Sequence, residues 1–278
     1  MSITTFQRDI CRLIAAQRRR TGESYIAGGV ALNTLLKAPR ISRDIDLFHD
    51  TEEALRVSAN DDRRELMARG YALQVLRESP TFVEATVSKS GDTVVMQWVR
   101  DSAFRFFPLI EDEIFGLVLH PFDLAANKVL ALAGRLEARD WLDVLECHDK
   151  IQPLGYLAWA ACGKDPGFSP PSLLSEARRG SRYSQAELDE LAFETEPPDA
   201  RQLGARWHVM LAEADQITAA LPHQEAGKVV LAESGELYRR SADVLVADLA
   251  RGSVRFHAGC IRGVWPTIKP AGGGVSPS

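Results

Sequence analysis

Two aspartates stand two residues apart in the segment Arg40-Ile41-Ser42-Arg43-Asp44-Ile45-Asp46-Leu47-Phe48. Side chains two apart on a β-strand share a face, so Asp44 and Asp46 project together while Ile45 and Leu47 turn into a core. Upstream, Tyr25-Ile26-Ala27 runs into Gly28-Gly29 and then Val30-Ala31-Leu32. Glycines lack a Cβ, so the backbone N–H groups of Gly28 and Gly29 can come close to phosphate at the start of a helix. Ser42 can add a hydroxyl to the same phosphate site. Hard carboxylate oxygens beside free N–H groups suit a divalent cation carrying a nucleoside triphosphate. The chemistry that fits is transfer of a nucleotidyl group. The triphosphate is held, a nucleophilic oxygen is brought in line with the α-phosphorus, and Mg²⁺ offsets the charge on the leaving pyrophosphate. A Gly-Gly pair alone is usually a turn and an Asp-x-Asp alone says less still; together, on successive strands, they point to a metal site formed by Asp44 and Asp46.

A second constellation lies downstream: Asp123-Leu124-Ala125-Ala126-Asn127-Lys128, then Ala131, Arg135, Arg139-Asp140 and Asp143. Lys128, Ala131 and Arg135 fall at helical spacing and share one broad face. Lys128 is flanked by Leu124, Ala125, Val129 and Leu130, so its helix is expected to be largely buried. A lysine in that setting needs an anion, either a phosphate or a carboxylate such as Asp140 or Asp143. The bland alternative is a structural ion pair stapling two helices.

The combination of Gly28-Gly29, Arg40-x-Ser42-x-Asp44-x-Asp46-Leu47, Lys128 and Arg139-Asp140-x-x-Asp143 resembles the AbiEii/AbiGii-type nucleotidyltransferase toxins, a branch of the DNA polymerase β-like superfamily. The likeness runs over roughly residues 20–150; beyond that, the chain is compatible with a helical C-terminal domain. The resemblance implies Asp44 and Asp46 as ligands of Mg²⁺ (or Mn²⁺) and Lys128 as a triphosphate contact. It also places the Arg139-Asp140-x-x-Asp143 segment in the site, with Arg139 and Asp140 on the nucleotide side. Asp143 is the candidate base or positioning group for the incoming hydroxyl, and Asp140 can instead pair with Lys128 or Arg135. It implies NTP as substrate, an RNA acceptor such as the 3′ end of tRNA, and a separately encoded antitoxin. Many superfamily members carry a third carboxylate on the last strand of the meander, where this chain has Gln97; a neutral amide is a poorer Mg²⁺ ligand. The competing possibilities are transfer to a small molecule or a protein hydroxyl, and a catalytically inactive interaction module. Which NTP is used is not legible in the sequence.

The elements that must position these groups follow from periodicity and turn residues. Phe6, Ile10, Leu13 and Ile14 predict a helix that stops at Gly22. Ser24–Ala27 is a strand, Val30–Leu36 a helix ended by Pro39, Asp44–Phe48 a strand, and Glu52–Arg69 a helix closed by Gly70. Three strands follow over 71–76, 81–88 and 93–99, the last two joined at Ser90-Gly91-Asp92. The fold class is therefore α+β, with a small mixed sheet, flanking helices, and a mainly helical part after it. Expected helices there are 122–138, 139–150, 172–179, 185–193 and 198–221, with a hairpin over 227–240 turning at Ser234-Gly235. The expected division is a nucleotidyltransferase core over 1–120, a C-terminal domain over 121–270 contributing Lys128 and Asp143, and a disordered Gly/Pro/Ser tail over 271–278.

The chain has 278 residues and a net charge of −5, with 45% hydrophobic and 26% charged residues, ordinary for a soluble globular protein. No apolar run approaches a membrane span, and Arg8 and Arg12 are not followed by an apolar signal segment, which points to the cytoplasm. Cys11, Cys147, Cys162 and Cys260 are scattered, as expected of buried reduced thiols rather than a zinc site. Cys147 and His148 are adjacent and would point apart on a helix. The acidic balance argues against a generic nucleic-acid coat protein. Arg251, Arg255, Arg262 and Lys269, interleaved with Phe256, His257 and Trp265 and with no acidic residue between, form either a strand pair with solvated charges or a substrate-contact face.

Overall fold

The computed structural model describes residues 3–179 and 183–267. Helix α1 (Thr5–Thr21) opens on a Thr4/Gln7 capping box. It is followed by β1 (Ser24–Ala27), α2 (Gly28–Leu36), β2 (Asp44–His49) and α3 (Glu52–Ala68). The meander β3 (Ala72–Ser79), β4 (Phe82–Lys89) and β5 (Asp92–Arg100) comes next, then the short strands β6 (Phe104–Arg105), β7 (Ile110–Asp112) and β8 (Gly116–Val118). A helical run takes over with α4 (Pro121–Arg135), α5 (Ala138–Lys150), α6 (Leu154–Ala161), α7 (Pro170–Arg179), α8 (Gln185–Asp189) and α9 (Ala200–Ala220). The described chain closes with β9 (Val229–Ala232), α10 (Ala242–Ala250), β10 (Val254–His257) and β11 (Cys260–Ile261).

The main sheet has the order β3-β4-β5-β2-β1-β8-β7. It is mixed: β2 runs parallel to β5 and β1 parallel to β8, while β1 and β2 are antiparallel. This is the α+β architecture expected. Ser90 and Gly91 both have positive φ (54° and 95°), the geometry that lets a two-residue turn match the twist of β4 and β5. Along β2 burial alternates, with Ile45, Leu47 and His49 buried and Asp44, Asp46 and Phe48 partly exposed. The buried face is covered by α1 and α3. Arg18 of α1 pairs with Asp62 of α3 (Nη1–Oδ1 3.1 Å), which also accepts from Trp98 Nε1 (2.8 Å). The opposite face, carrying the aspartates, is left to α2, α4 and α5. One apolar cluster includes Ile26, Leu47, Trp98, Phe122, Trp141, Leu157 and Trp207, running across residue 120 without a break. No helix among the described residues is long and apolar enough to cross a membrane.

Several elements differ from those expected. Strands β6, β7 and β8 are two or three residues long, too short for any alternation to register. All of α6 is buried, so it has no polar stripe to reveal a helical period. Helix α10 also lies outside the expected elements. The expected hairpin over 227–240 is reduced to one Leu231–Leu237 bridge, because β9 takes β10 as its partner instead. Gln152 Nε2 pins this corner by donating to Val230 O (2.9 Å) and Tyr238 O (2.7 Å). The helix expected over 185–193 stops at Asp189, since the chain beyond it turns extended and pairs with the loop before β2, where Ile41 N donates to Ala192 O (2.8 Å) and Glu194 N to Pro39 O (2.9 Å). The helix expected over 122–138 ends at Arg135, capped by Leu136 in the left-handed conformation. Cys11, Cys147 and Cys162 are buried, but Cys260 is exposed because β11 has only β6 beside it. Lys269 and the tail over 271–278 lie outside the described residues.

His49 is expected to make the fold pH-sensitive. Its Nδ1 donates to Val99 O (3.2 Å), and its Nε2 shares a hydrogen bond with Ser24 Oγ (3.1 Å). Burial pushes its pKa down to about 4. A histidine whose folded pKa lies below its unfolded value adds stability that is present at neutral pH and lost as pH falls through 6.5 toward 4. The full shift corresponds to ~3 kcal/mol. Thermal melts from pH 7.5 to 4.5 should show a steeper loss of Tm for the native chain than for His49→Gln; parallel curves would exclude His49 as the cause.

Candidate active site

Asp44 and Asp46 of β2 face an open cleft of about 1020 Å³, which is also lined by Gly28, Gly29, Ser42, Lys128 and Arg139. The cleft thus gathers seven of the nine residues expected at the site, and Gln97 of β5 lies in its wall. Asp140 and Asp143 are not in that wall. They are fully buried on α5, behind the cations that are.

The first turn of α2 opens on the cleft with no side-chain cap on its N-terminus, so its N–H groups remain available to an anion. Packing alone also calls for glycine at both positions. Gly28 has φ +66°, and a Cβ there would overlap the Asp46 carboxylate. A Cβ on Gly29 would lie 2.9 Å from Arg40 Nη2 and 3.0 Å from Ser42 Oγ. The loop carrying Ser42 is held from two sides, by Gln7 Nε2 donating to Ser42 O (2.8 Å) and by the backbone pairing at Ile41. Gly28→Ala is therefore expected to destabilise the fold by roughly 2 kcal/mol or more and to abolish activity. Gly134→Ala, on α4 with open space around it, should be neutral or slightly stabilising. Melts and turnover of both variants check this, and a fully active Gly28→Ala would contradict it.

Lys128 Nζ sits between two carboxylates, 2.9 Å from Asp140 Oδ1 and 2.8 Å from Asp143 Oδ2. Arg40 grips Asp143 from the other side in a bidentate pair, Nε–Oδ1 2.9 Å and Nη2–Oδ2 2.8 Å. Arg135 does the same for Asp140, Nε–Oδ2 2.6 Å and Nη2–Oδ1 3.1 Å. Burial alone would lower the Lys128 pKa, but Asp143 and Asp140 hold it above the ordinary value. Burial likewise works to raise Asp140, yet Lys128 and Arg135 keep it below the usual carboxylate range. Lys128 both staples α4 to α5 and lines the cleft, so the structural and functional possibilities coexist in one side chain.

The aspartates on β2 are in a different state. Among the described residues the Asp46 carboxylate has no hydrogen bond or ion pair, and Arg139 Nη1 comes no closer than 3.9 Å to Asp44 Oδ2. Burial pushes Asp46 up to about 6; Asp44 adds to the rise, against the pull of Lys128, Arg139 and Arg135. Two hard oxygen donors side by side, one of them lacking any partner, fit a divalent cation. No cluster of three or more His, Cys, Asp or Glu able to hold a metal occurs among the described residues.

Arg40 is the residue whose importance the motifs understated: it appears in the motif but has no local cue to its partner. Lys164 is another. It lines the cleft and is held by Asp123 (2.8 Å), itself bound to the N–H groups of Phe106 and Phe107. Of the basic C-terminal stretch, Arg251, Arg255 and Arg262 do not line the cleft. Arg262 pairs with Glu23 (2.9 Å), Arg251 is held by Asp248, and β10 forms the strand pair with β9.

No curated protein matches the sequence. A putative nucleotidyltransferase from H. pylori is 16% identical with a TM-score of 0.50, over 77% of this chain and 96% of that one, a likeness of fold. JHP933 from Helicobacter pylori (14% identity, TM-score 0.48, 76% and 91% of the two chains) was also found. So was the MenT4 nucleotidyltransferase toxin of Mycobacterium tuberculosis (19% identity, TM-score 0.47, 74% and 84%). The family model described as nucleotidyl transferase AbiEii toxin, type IV toxin–antitoxin system, matches residues 20–220, well over half of the chain. With that match spanning Gly28-Gly29, Asp44, Asp46, Lys128 and Asp143, the chain belongs to the AbiEii family of nucleotidyltransferase toxins.

Proposed function

We propose that this toxin transfers NMP from an NTP to an RNA acceptor, with the 3′ end of tRNA as the candidate, in a Mg²⁺- or Mn²⁺-dependent reaction in the cytoplasm. The observation that carries it is the single cleft in which an uncapped helix N-terminus and Lys128 face the Asp44/Asp46 pair. Asp44 and Asp46 would hold the metal, which when bound offsets phosphate charge and stabilises the attacking and leaving oxygens. Gly28 and Gly29 give their N–H groups to the triphosphate, Ser42 its hydroxyl, and Lys128 its charge, with Arg139 at the same end. Asp143 acts as a positioning group, since its carboxylate is occupied by Arg40 and Lys128; Asp140 holds Lys128 and Arg135. In the same proposal residues 1–120 form the catalytic core and 121–270 the part that delivers Lys128. The acceptor class rests on the toxin family, whose type IV systems imply a separate antitoxin.

Incubation with each of the four α-labelled NTPs, with and without EDTA, and with total RNA, protein and an aminoglycoside mixture as acceptors, tests this. Label in the RNA fraction, abolished by EDTA, is expected. Label confined to protein or the small molecules would replace the acceptor, and no label anywhere would sink the transfer itself.

A further inference from the structure

The place beside Asp46 on the neighbouring strand belongs to an amide whose orientation is dictated from behind. A row of side chains crosses the sheet in register: Asp46 on β2 is opposite Gln97 on β5, Gln97 is opposite Glu84 on β4, and Glu84 is opposite Arg77 on β3. Gln97 Nε2 donates to Glu84 Oε1 (2.9 Å), and Arg77 Nε lies 3.1 Å from Glu84 Oε2. A carboxylate paired with a guanidinium only accepts, so it selects the NH₂ end of the amide. The carbonyl oxygen Oε1 is thereby turned away from Glu84, and Gln97 shares the cleft wall with Asp46.

We propose that Gln97 Oε1 receives the attacking hydroxyl of the acceptor, and that Glu84 and Arg77 are positioning residues fixing which end of the amide it meets. This deepens the proposed nucleotidyl transfer and rests on it. An amide accepts a hydrogen bond but does not take up a proton at neutral pH. Gln97 therefore aligns the hydroxyl oxygen without acting as a base. The O–Pα bond forms, the bond from Pα to the β-phosphate oxygen breaks, the electron pair leaves with pyrophosphate, and the hydroxyl proton passes to pyrophosphate or solvent. Glu84 does not serve as a third metal ligand in this arrangement. It is two strands from Asp46, about 10 Å across the sheet, and both its oxygens are engaged.

The test compares native chain, Gln97→Leu, Gln97→Met and Glu84→Gln for turnover, NTP affinity and Mg²⁺ affinity by direct titration, with labelled NTP and total RNA. Loss of one hydrogen bond made to a reacting group lowers kcat roughly 10- to 100-fold in Gln97→Leu and Gln97→Met. NTP and Mg²⁺ affinities should stay within about twofold. Glu84→Gln frees the amide to rotate and should lower kcat by a smaller factor, again with Mg²⁺ affinity kept. If the Gln97 variants fold and turn over like the native chain, Gln97 has no such role. If they lose Mg²⁺ affinity in step with turnover, it is a metal ligand and the proposal is wrong. Should Gln97→Leu not fold, the unbranched Gln97→Met decides. A native chain that transfers nothing under these conditions brings down the proposed function and this inference with it, and is recognised from its own lane.

Discussion

Asp46→Ala is expected to remove nucleotidyl transfer by a factor on the order of 1000 while leaving the chain folded. The two halves of that expectation have separate causes. Asp46 and Asp44 are the two carboxylates that β2 turns into the cleft, and among the described residues no third His, Cys, Asp or Glu groups with them to hold a metal, so its loss leaves Asp44 alone to hold a cation. Its carboxylate makes no hydrogen bond or ion pair among the described residues, and burial already disfavours its charge, as the rise to about 6 records. Among the described residues no hydrogen bond or ion pair depends on it; removing a half-buried, unpaired charge relieves a penalty rather than creating one. Melts in metal-free buffer should therefore give Asp46→Ala, and the closer isostere Asp46→Asn, a Tm no lower than the native chain. Growth toxicity should vanish with both. A folded Asp46→Ala protein that keeps its toxicity would refute the catalytic role of the pair.

The second large effect has the opposite character. Asp143→Ala should cost roughly 3 kcal/mol or more of stability, visible as a Tm drop near 10 °C. Asp143 is 1% exposed and carries the bidentate Arg40 pair as well as one arm of Lys128. Without it Lys128 still has Asp140, but the buried Arg40 guanidinium is stranded. Replacing both members, Arg40→Met with Asp143→Leu, should recover most of the lost stability, because a buried pair exchanged for apolar volume is close to neutral. Activity should not return, since Arg40 and the anchored Lys128 line the cleft. Tm, kcat and the NTP KM of the single and double variants decide the matter. A base at position 143 would instead leave Tm and NTP affinity unchanged and remove only turnover, and that result would overturn the positioning role.

These two aspartates, both evident from spacing, part company only in the folded chain. Asp44 and Asp46 share a face because β-strand side chains repeat every two residues, a local rule that needs no knowledge of the rest of the molecule. The same is true of the helix following Gly28-Gly29, and of the turn at Ser90-Gly91, where backbone preference is carried by the residues themselves. Elements without such local signatures stayed hidden. The wholly buried α6 has no amphipathic stripe, and β6 to β8 are too short to alternate.

The amino-acid sequence by itself determined the α+β class, the paired carboxylates, the glycines before α2 and the charged helix pair that marks the family. Tertiary structure alone decided what each charge does. Arg40 meets Asp143 across 103 residues of sequence, Lys128 is shared between two carboxylates, and Gln97 comes beside Asp46 through the parallel register of β2 and β5. The physical reason is that periodicity specifies which face a side chain occupies. The partner across that face, and with it burial and charge state, is set by how distant elements pack.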